Sequence, residues 1–191
     1  MDPLTKEDLK FVAESVFPTV DSRIIANMVD FNEVLVRQCS SLRGGPWEFN
    51  LRDIFRWCQA VKQHQQQNHH NQHHTRGESQ RQEPGRFVGL IYSDRMRTQA
   101  DRQRLLDIYR AVFGASYPLL TEGSRDVYVT DSWFQVGSAL LPRGDTYSSD
   151  SDLLILRRHL RPLESLMHCV HFNWMTILVF FIYFNFFWFF N

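Results

Sequence analysis

A chain of 191 residues, 43% hydrophobic and 22% charged, has room for one globular domain or two small ones. Its 21 Lys and Arg balance its 21 Asp and Glu, so the whole chain lacks the basic excess of a nucleic-acid binder. Three widely spaced cysteines (Cys39, Cys58 and Cys169) form no CxxC pair, which argues against a disulfide framework or zinc finger and for a reducing compartment, and MDPLTKEDLK at the start lacks the apolar run of a secretory signal.

The first predicted element is a helix over 5–15. Thr5 caps it, with Asp8 three residues on as a variant capping box, and Phe17-Pro18 ends it because the residue before proline avoids the α region. A second helix starts near Asp21 or Ser22 and places Ile24, Met28, Phe31 and Leu35 on one face. Gly44-Gly45-Pro46 breaks the chain, and Trp47 is expected to help pin the turn that follows. NLRDIFRWCQAV (50–61) then reads as a third helix. Asn50 is its cap and Asp53 sits at N3, with Leu51, Ile54, Phe55, Cys58 and Val61 as the apolar stripe.

Composition changes abruptly at 63–85, QHQQQNHHNQHHTRGESQRQEPG, which holds almost nothing apolar. Such a segment cannot offset its ordering entropy and is predicted to be a disordered surface insert. RFVGLIYSDRM (86–96) reads as a strand or extended stretch. Thr98 through Asp101 forms another capping box and opens a helix to Phe113, lined by Leu105, Leu106, Tyr109, Val112 and Phe113, with Gly114 at the C-terminal cap. DVYVTDSWFQVGSALL (126–141) reads as two short strands around a turn at Asp131-Ser132. A polar loop, RGDTYSSDSD, follows. The last helix begins near Asp150, with Leu153, Leu156, Leu160 and Leu163 apolar and Pro162 kinking or splitting it. WMTILV then reads as a short buried strand.

Candidate chemistry is sparse. His64, His69, His70, His73 and His74 hold five of the eight histidines, a density that suits nickel, copper or zinc. The interleaved Gln and Asn are poor ligands, however, and a polar linker accounts for the tract as well. Arg52 and Arg56, four apart, share one helix face. They read either as solvated charges, one pairing with Asp53, or as guanidinium groups held to touch phosphate. Arg95, Arg97, Arg102 and Arg104 form a similar cluster. The sequence contains no GxxxxGK[ST], GxGxxG, HExxH or GxSxG. His159, His168 and His171 have no serine or cysteine in a recognisable nucleophile setting.

The tail raises a separate question. Trp174 to Phe190 as a helix of about 1.5 Å per residue approaches the roughly 30 Å of a bilayer core. Arg157, Arg158 and Arg161 stand where a tail anchor wants positive charge. Yet seven of the eleven residues from Phe180 to Phe190 are phenylalanine. Phe, Ile, Tyr, Asn and Trp all fit T-rich codons, so this stretch looks like translated non-coding sequence.

WEFNLRDIFRWC (47–58) resembles the midasin family, very large dynein-related AAA+ ATPases of ribosome biogenesis. RMRTQADRQRLLDIYRAVFG (95–114) resembles the end of a midasin lid region. FQVGSALLPR (134–143) and LRPLESLMHCVHFNWMTILV (160–179) resemble the start of the next module. In that family a glycine-rich phosphate loop follows the strand matching WMTILV; here FFIYFNFFWFFN stands in its place.

The resemblance implies a mainly α fold with a few short strands, an AAA+ helical lid subdomain plus the beginning of the next AAA+ core. It divides the chain into lid helices at 1–62, the disordered insert at 63–85, the end of the lid at 86–125, a connector and first strand at 126–179, and an aberrant Phe-rich tail at 180–191. Arg52, with Arg56 as second choice, matches the sensor-2 arginine that reaches the γ-phosphate of ATP held by a core domain. ATP and magnesium are cofactors of the full-length family, and none is expected in this truncated chain, which should not be catalytic alone. Implied partners are the remaining AAA+ modules of the same polypeptide and pre-60S particles, the large-subunit precursors that the family strips of assembly factors, with no direct nucleic-acid binding. The implied place is the nucleus and nucleolus. Two alternatives stand beside this reading: a tail-anchored helical membrane protein, and a metal-binding module using His69, His70, His73 and His74.

Overall fold

The computed structural model describes residues 4–39, 48–71, 82–119, 125–143 and 156–174, with backbone alone for Cys39 and 67–71. The chain divides into two compact units, Met1–Thr121 and Glu122–Asn191.

The first unit is helical. α1 (Lys6–Val16) begins at the predicted capping box: the Asp8 amide donates to Thr5 Oγ1 at 3.2 Å, and the Thr5 amide donates back to Asp8 Oδ2 at 3.0 Å. It stops at Phe17, whose amide still donates to the Ala13 carbonyl. α2 (Ser22–Cys39) begins where the Arg23 amide donates to Asp21 Oδ1 at 2.8 Å, and buries Ile24, Ile25, Met28, Phe31 and Leu35. It packs on α1, on α3 (Leu51–Asn71) and on α5 (Gln99–Phe113). α5 starts with the Asp101 amide donating to Thr98 Oγ1 at 3.1 Å. It ends at Gly114, whose φ of 60° only glycine adopts without strain.

Aromatic rings fill the centre of this unit. Phe31 lies edge-on to Trp57 and Tyr92, with centroids 5.5 and 5.2 Å apart, while Tyr109 and Phe113 stack at 4.4 Å. Trp57 is fully buried, and its Nε1 donates to the Pro84 carbonyl at 2.9 Å. The expected stripe of α3 is therefore shifted. Ile54, Cys58 and Val61 are buried as predicted, but Leu51 and Phe55 are only half-buried, Phe55 standing edge-on to Phe17 at 5.5 Å. Asp53, Ile54, Trp57, Cys58, Ala60 and Val61 are the buried residues of the helix among those whose side chains are described. Trp47 lies outside the described residues, as does Gly44-Gly45-Pro46.

Two expectations for the middle of the chain are corrected. The stretch 63–85 is not structureless throughout: α3 runs on to Asn71, and residues 82–85 are held in place as well. Gln82 donates to the Thr19 carbonyl at 2.8 Å and to Gln65 at 3.1 Å, and accepts from the Asp21 amide at 2.9 Å. Gln is a good helix former, so a polar sequence extends a helix already nucleated by its apolar first half. Gly85 is buried where an added Cβ would collide with the Pro118 carbonyl. Residues 72–81 lie outside the described part.

RFVGLIYSDRM is not a strand. Pro84–Phe87 forms a 3₁₀ turn, α4 (Val88–Ile91) follows, and Ser93–Arg95 is a second 3₁₀ turn. Phe87, Val88, Ile91 and Tyr92 recur at i, i+1, i+4 and i+5 and are all buried, a helical spacing that a short apolar run conceals.

In the second unit the expected pair of strands is a three-stranded meander. β1 (Val127–Val129) pairs antiparallel with β2 (Trp133–Val136), and β2 with β3 (Ala139–Pro142). The turn at Asp131-Ser132 is where it was predicted. The second turn, Gly137-Ser138, divides the expected second strand, with Gly137 at φ 55°. Val136 and Ala139 pack with Met167 of α6 (Arg157–His171). Residues 144–155 are outside the description, so the helix appears from Arg157 on. Pro162 does not split the helix, which runs through it from Arg157 to His171. α6 closes on Asn173 at φ 55°, with the Asn173 amide donating to the Val170 carbonyl and the Trp174 amide to that of Cys169. The predicted WMTILV strand and the Phe-rich tail lie outside the described residues beyond Trp174. Among the described residues no helix is long and apolar enough to cross a membrane.

Candidate functional site

The first turn of α3 carries a candidate position that both the sequence and its neighbours hold in place. Asn50 Oδ1 accepts from the Arg52 amide at 3.0 Å, and the Asn50 amide donates to Asp53 Oδ2 at 3.3 Å. A capping residue and an N3 acid thus satisfy two of the helix's orphan donors.

Asp53 is buried, and a buried carboxylate needs a partner. Its partner is Arg95, not Arg52 or Arg56: Arg95 donates to Asp53 Oδ1 at 3.0 Å. The same guanidinium donates to the Glu48 carbonyl at 2.9 Å and lies 5.4 Å from the centre of the Phe49 ring. From the other side, Asn32 donates to the Asn50 carbonyl at 3.2 Å, and the Tyr92 hydroxyl donates to Asn32 Oδ1 at 2.7 Å. Burial first, and the nearby Asp53 carboxylate second, push the Tyr92 phenol well above its ordinary value, so it stays a neutral donor.

Arg52 stands on this braced turn with its side chain exposed, and Arg56 one turn on is half-buried. A fixed backbone below an exposed guanidinium suits an anion carried by another surface. Of the second arginine cluster, Arg95 is committed to Asp53, and Arg102 donates to the Met96 carbonyl at 3.0 Å. Arg97 and Arg104 are exposed.

The histidine tract contributes one described side chain. His64 is half-buried, edge-on to Phe87 at 5.8 Å, and burial followed by Arg86 lowers its pKa. Neither the side chains of His69 and His70 nor any part of His73 and His74 falls within the description. Among the described residues no group of three or more His, Cys, Asp or Glu is placed to hold a metal ion.

The sequence reading left His168 without a serine, and the fold supplies one. Ser138 Oγ lies 3.1 Å from His168 Nε2 and donates to Glu164 Oε1 at 2.8 Å. The Ser138 amide also donates to Oε1, at 2.7 Å, and Arg125 donates to Oε2 at 2.7 Å. Burial raises the Glu164 pKa, but these donors outweigh it and hold the carboxyl below its usual range. The single Ser138 hydroxyl proton is directed to this carboxylate and not to His168, which is not how a base activates a serine. The cluster is a latch: Glu164 sits against Gly137, 2.5 Å from where a Cβ would stand, and pins the β2–β3 turn to α6.

Neither Arg95 nor the Asn32–Tyr92 relay was legible in advance. Their partners lie 42, 18 and 60 residues away in the chain. The available signal was Asp53 itself, an acid on the inward side of an apolar helix.

A family described as the midasin AAA lid domain matches residues 8–116. The chain is also similar to midasin of Dictyostelium discoideum, 33% identical over 206 aligned residues that take in 94% of this chain and 3% of the relative. It therefore spans a small part of the length of the relative it matches.

Proposed function

The chain belongs to the midasin AAA lid family, and from that premise we propose that it serves as the helical lid of one AAA+ module in a longer midasin-like ATPase. The observation that carries this reading is the agreement of two boundaries. The family match over 8–116 falls within the first compact unit, Met1–Thr121.

The residues present fit one role toward ATP. Arg52 offers an exposed guanidinium on the first turn of α3, able to meet the γ-phosphate of a nucleotide held by a core domain. Arg56 is the second candidate. The chain has no GxxxxGK[ST] loop to cradle the phosphates, and its described residues hold no cluster of three or more His, Cys, Asp or Glu placed for a metal ion. Bound by the core, ATP and magnesium would supply the phosphoryl chemistry, and this chain one cation that senses it. Alone, the chain does not hydrolyse ATP. In the whole polypeptide the work is the ATP-driven remodelling of large-subunit ribosomal precursors in the nucleus, with the other AAA+ modules as covalent partners.

The test is Arg52→Ala in the ATP-hydrolysing polypeptide that carries this lid. One charge-assisted contact contributes about 1.5–3 kcal/mol, so hydrolysis falls by about 10- to 150-fold. Release of assembly factors from purified pre-60S particles falls with it. Full hydrolysis by both Arg52→Ala and Arg56→Ala overturns the phosphate-sensing assignment.

A further inference from the structure

We propose that Arg95 is a positioning residue for Arg52, acting through Asp53 and Glu48; the inference rests on the reading of Arg52 as the phosphate-sensing arginine. Arg95 lies in the 3₁₀ turn Ser93–Arg95, 42 residues beyond Asp53, and it clamps the segment that opens α3 at two points. One guanidinium nitrogen holds Asp53 Oδ1 at 3.0 Å, and the other holds the Glu48 carbonyl at 2.9 Å. Asp53 passes the restraint on, since its other oxygen receives the Asn50 amide and Asn50 Oδ1 receives the Arg52 amide.

The Arg95 side chain is about one-third exposed and that of Asp53 is 7% exposed, so the bridge is neither a fully solvated ion pair nor a fully desolvated one. The planar fork spans a carboxylate and a backbone carbonyl at once, which a lysine ammonium on its flexible stem does not reproduce. The first turn of a helix is where backbone frays most readily, and any sway there is carried to the Arg52 guanidinium. A phosphate contact worth making needs its donor held within a fraction of an ångström.

Two measurements test this. In the chain as it stands, Arg95→Ala raises hydrogen exchange at the Arg52 and Asp53 amides by about tenfold, and leaves the Val61 amide, deeper in α3, unchanged. In the ATP-hydrolysing polypeptide, Arg95→Ala lowers kcat by about fivefold or more, yet adds no further loss once Arg52 is alanine. Leu105→Ala, a core change in α5, is the stability control and leaves kcat in place. Unchanged exchange at Arg52 and Asp53 overturns the proposal. So does an Arg95→Ala loss of equal size in both backgrounds, or an equal loss from Leu105→Ala. If Arg52→Ala and Arg52→Lys both keep full hydrolysis, the sensing role itself is lost and the positioning role with it. If Arg52→Ala is inactive while Arg95→Ala keeps full activity, only the positioning role is lost.

Discussion

The two units hold themselves together by different physics. The helical unit encloses Phe31, Trp57, Tyr92, Tyr109 and Phe113 in one aromatic centre, with polar pairs such as Tyr92–Asn32 and Arg95–Asp53 bracing it. The meander unit buries Val136, Ala139 and Met167 as its small core, and ties sheet to helix through a carboxylate held by Ser138 and Arg125. Apolar burial scales with area and is insensitive to pH. A carboxylate latch is directional, worth less, and dependent on protonation. The first unit should therefore fail when volume is removed, and the second when charge is removed.

The strongest way to break that contrast is Trp57→Ala. It removes a fully buried ring and the Nε1 bond to Pro84, and should cost the helical unit about 3–5 kcal/mol in urea unfolding followed by circular dichroism. A loss below about 1 kcal/mol would mean that the aromatic centre is not what holds the helices. Tyr92→Phe sharpens the same point by keeping the ring and deleting the hydroxyl. Asn32 Oδ1 is then left without its donor, and stability falls by about 1–3 kcal/mol.

Glu164→Gln tests the other unit, at about 1 kcal/mol. Its signature is in the pH profile. The folded carboxyl titrates below its ordinary value of 4.5, so its contribution is complete above that pH and is lost as the pH falls through the folded value. Protection of the Ser138 amide should fade in acid in the parent chain and show no such step in Glu164→Gln; identical acid profiles would refute the latch. The smallest effect belongs to Arg52→Ala, which should leave the melting temperature within about 1 °C, since an exposed side chain away from packing contributes little. A large drop there would make Arg52 a structural residue and remove it from the nucleotide reading.

What could be read in advance was local. Thr5 with Asp8, Asn50 with Asp53, and Gly114 are capping devices whose partners lie within four residues and that stand where the chain placed them, while at Thr98 only the forward half of the expected box forms, the Asp101 amide donating to Thr98 Oγ1. The apolar face of α2 followed from period alone. The errors came where a local signal had two solutions. VGLI fits strand and buried helix equally, and a polar run fits an exposed helical extension as well as disorder. Trp57 lies off the single stripe that the period picks out, because α3 is buried on a wider arc, and only the approach of α4 and α5 shows that.

The family was legible as well, because WEFNLRDIFRWC and its companion blocks keep their order along the chain, and the lid match over 8–116 agrees with it. By itself, then, the sequence determined caps, helix faces and membership, all of which depend on short-range spacing or on order. Only the tertiary structure decided that Asp53 answers to Arg95, that Tyr92 reaches Asn50 through Asn32, and that Glu164 grips Ser138. Those pairs join residues 18 to 60 positions apart, and no local propensity carries information over that distance. What selects them is the need of each buried polar group for a partner once packing has removed water.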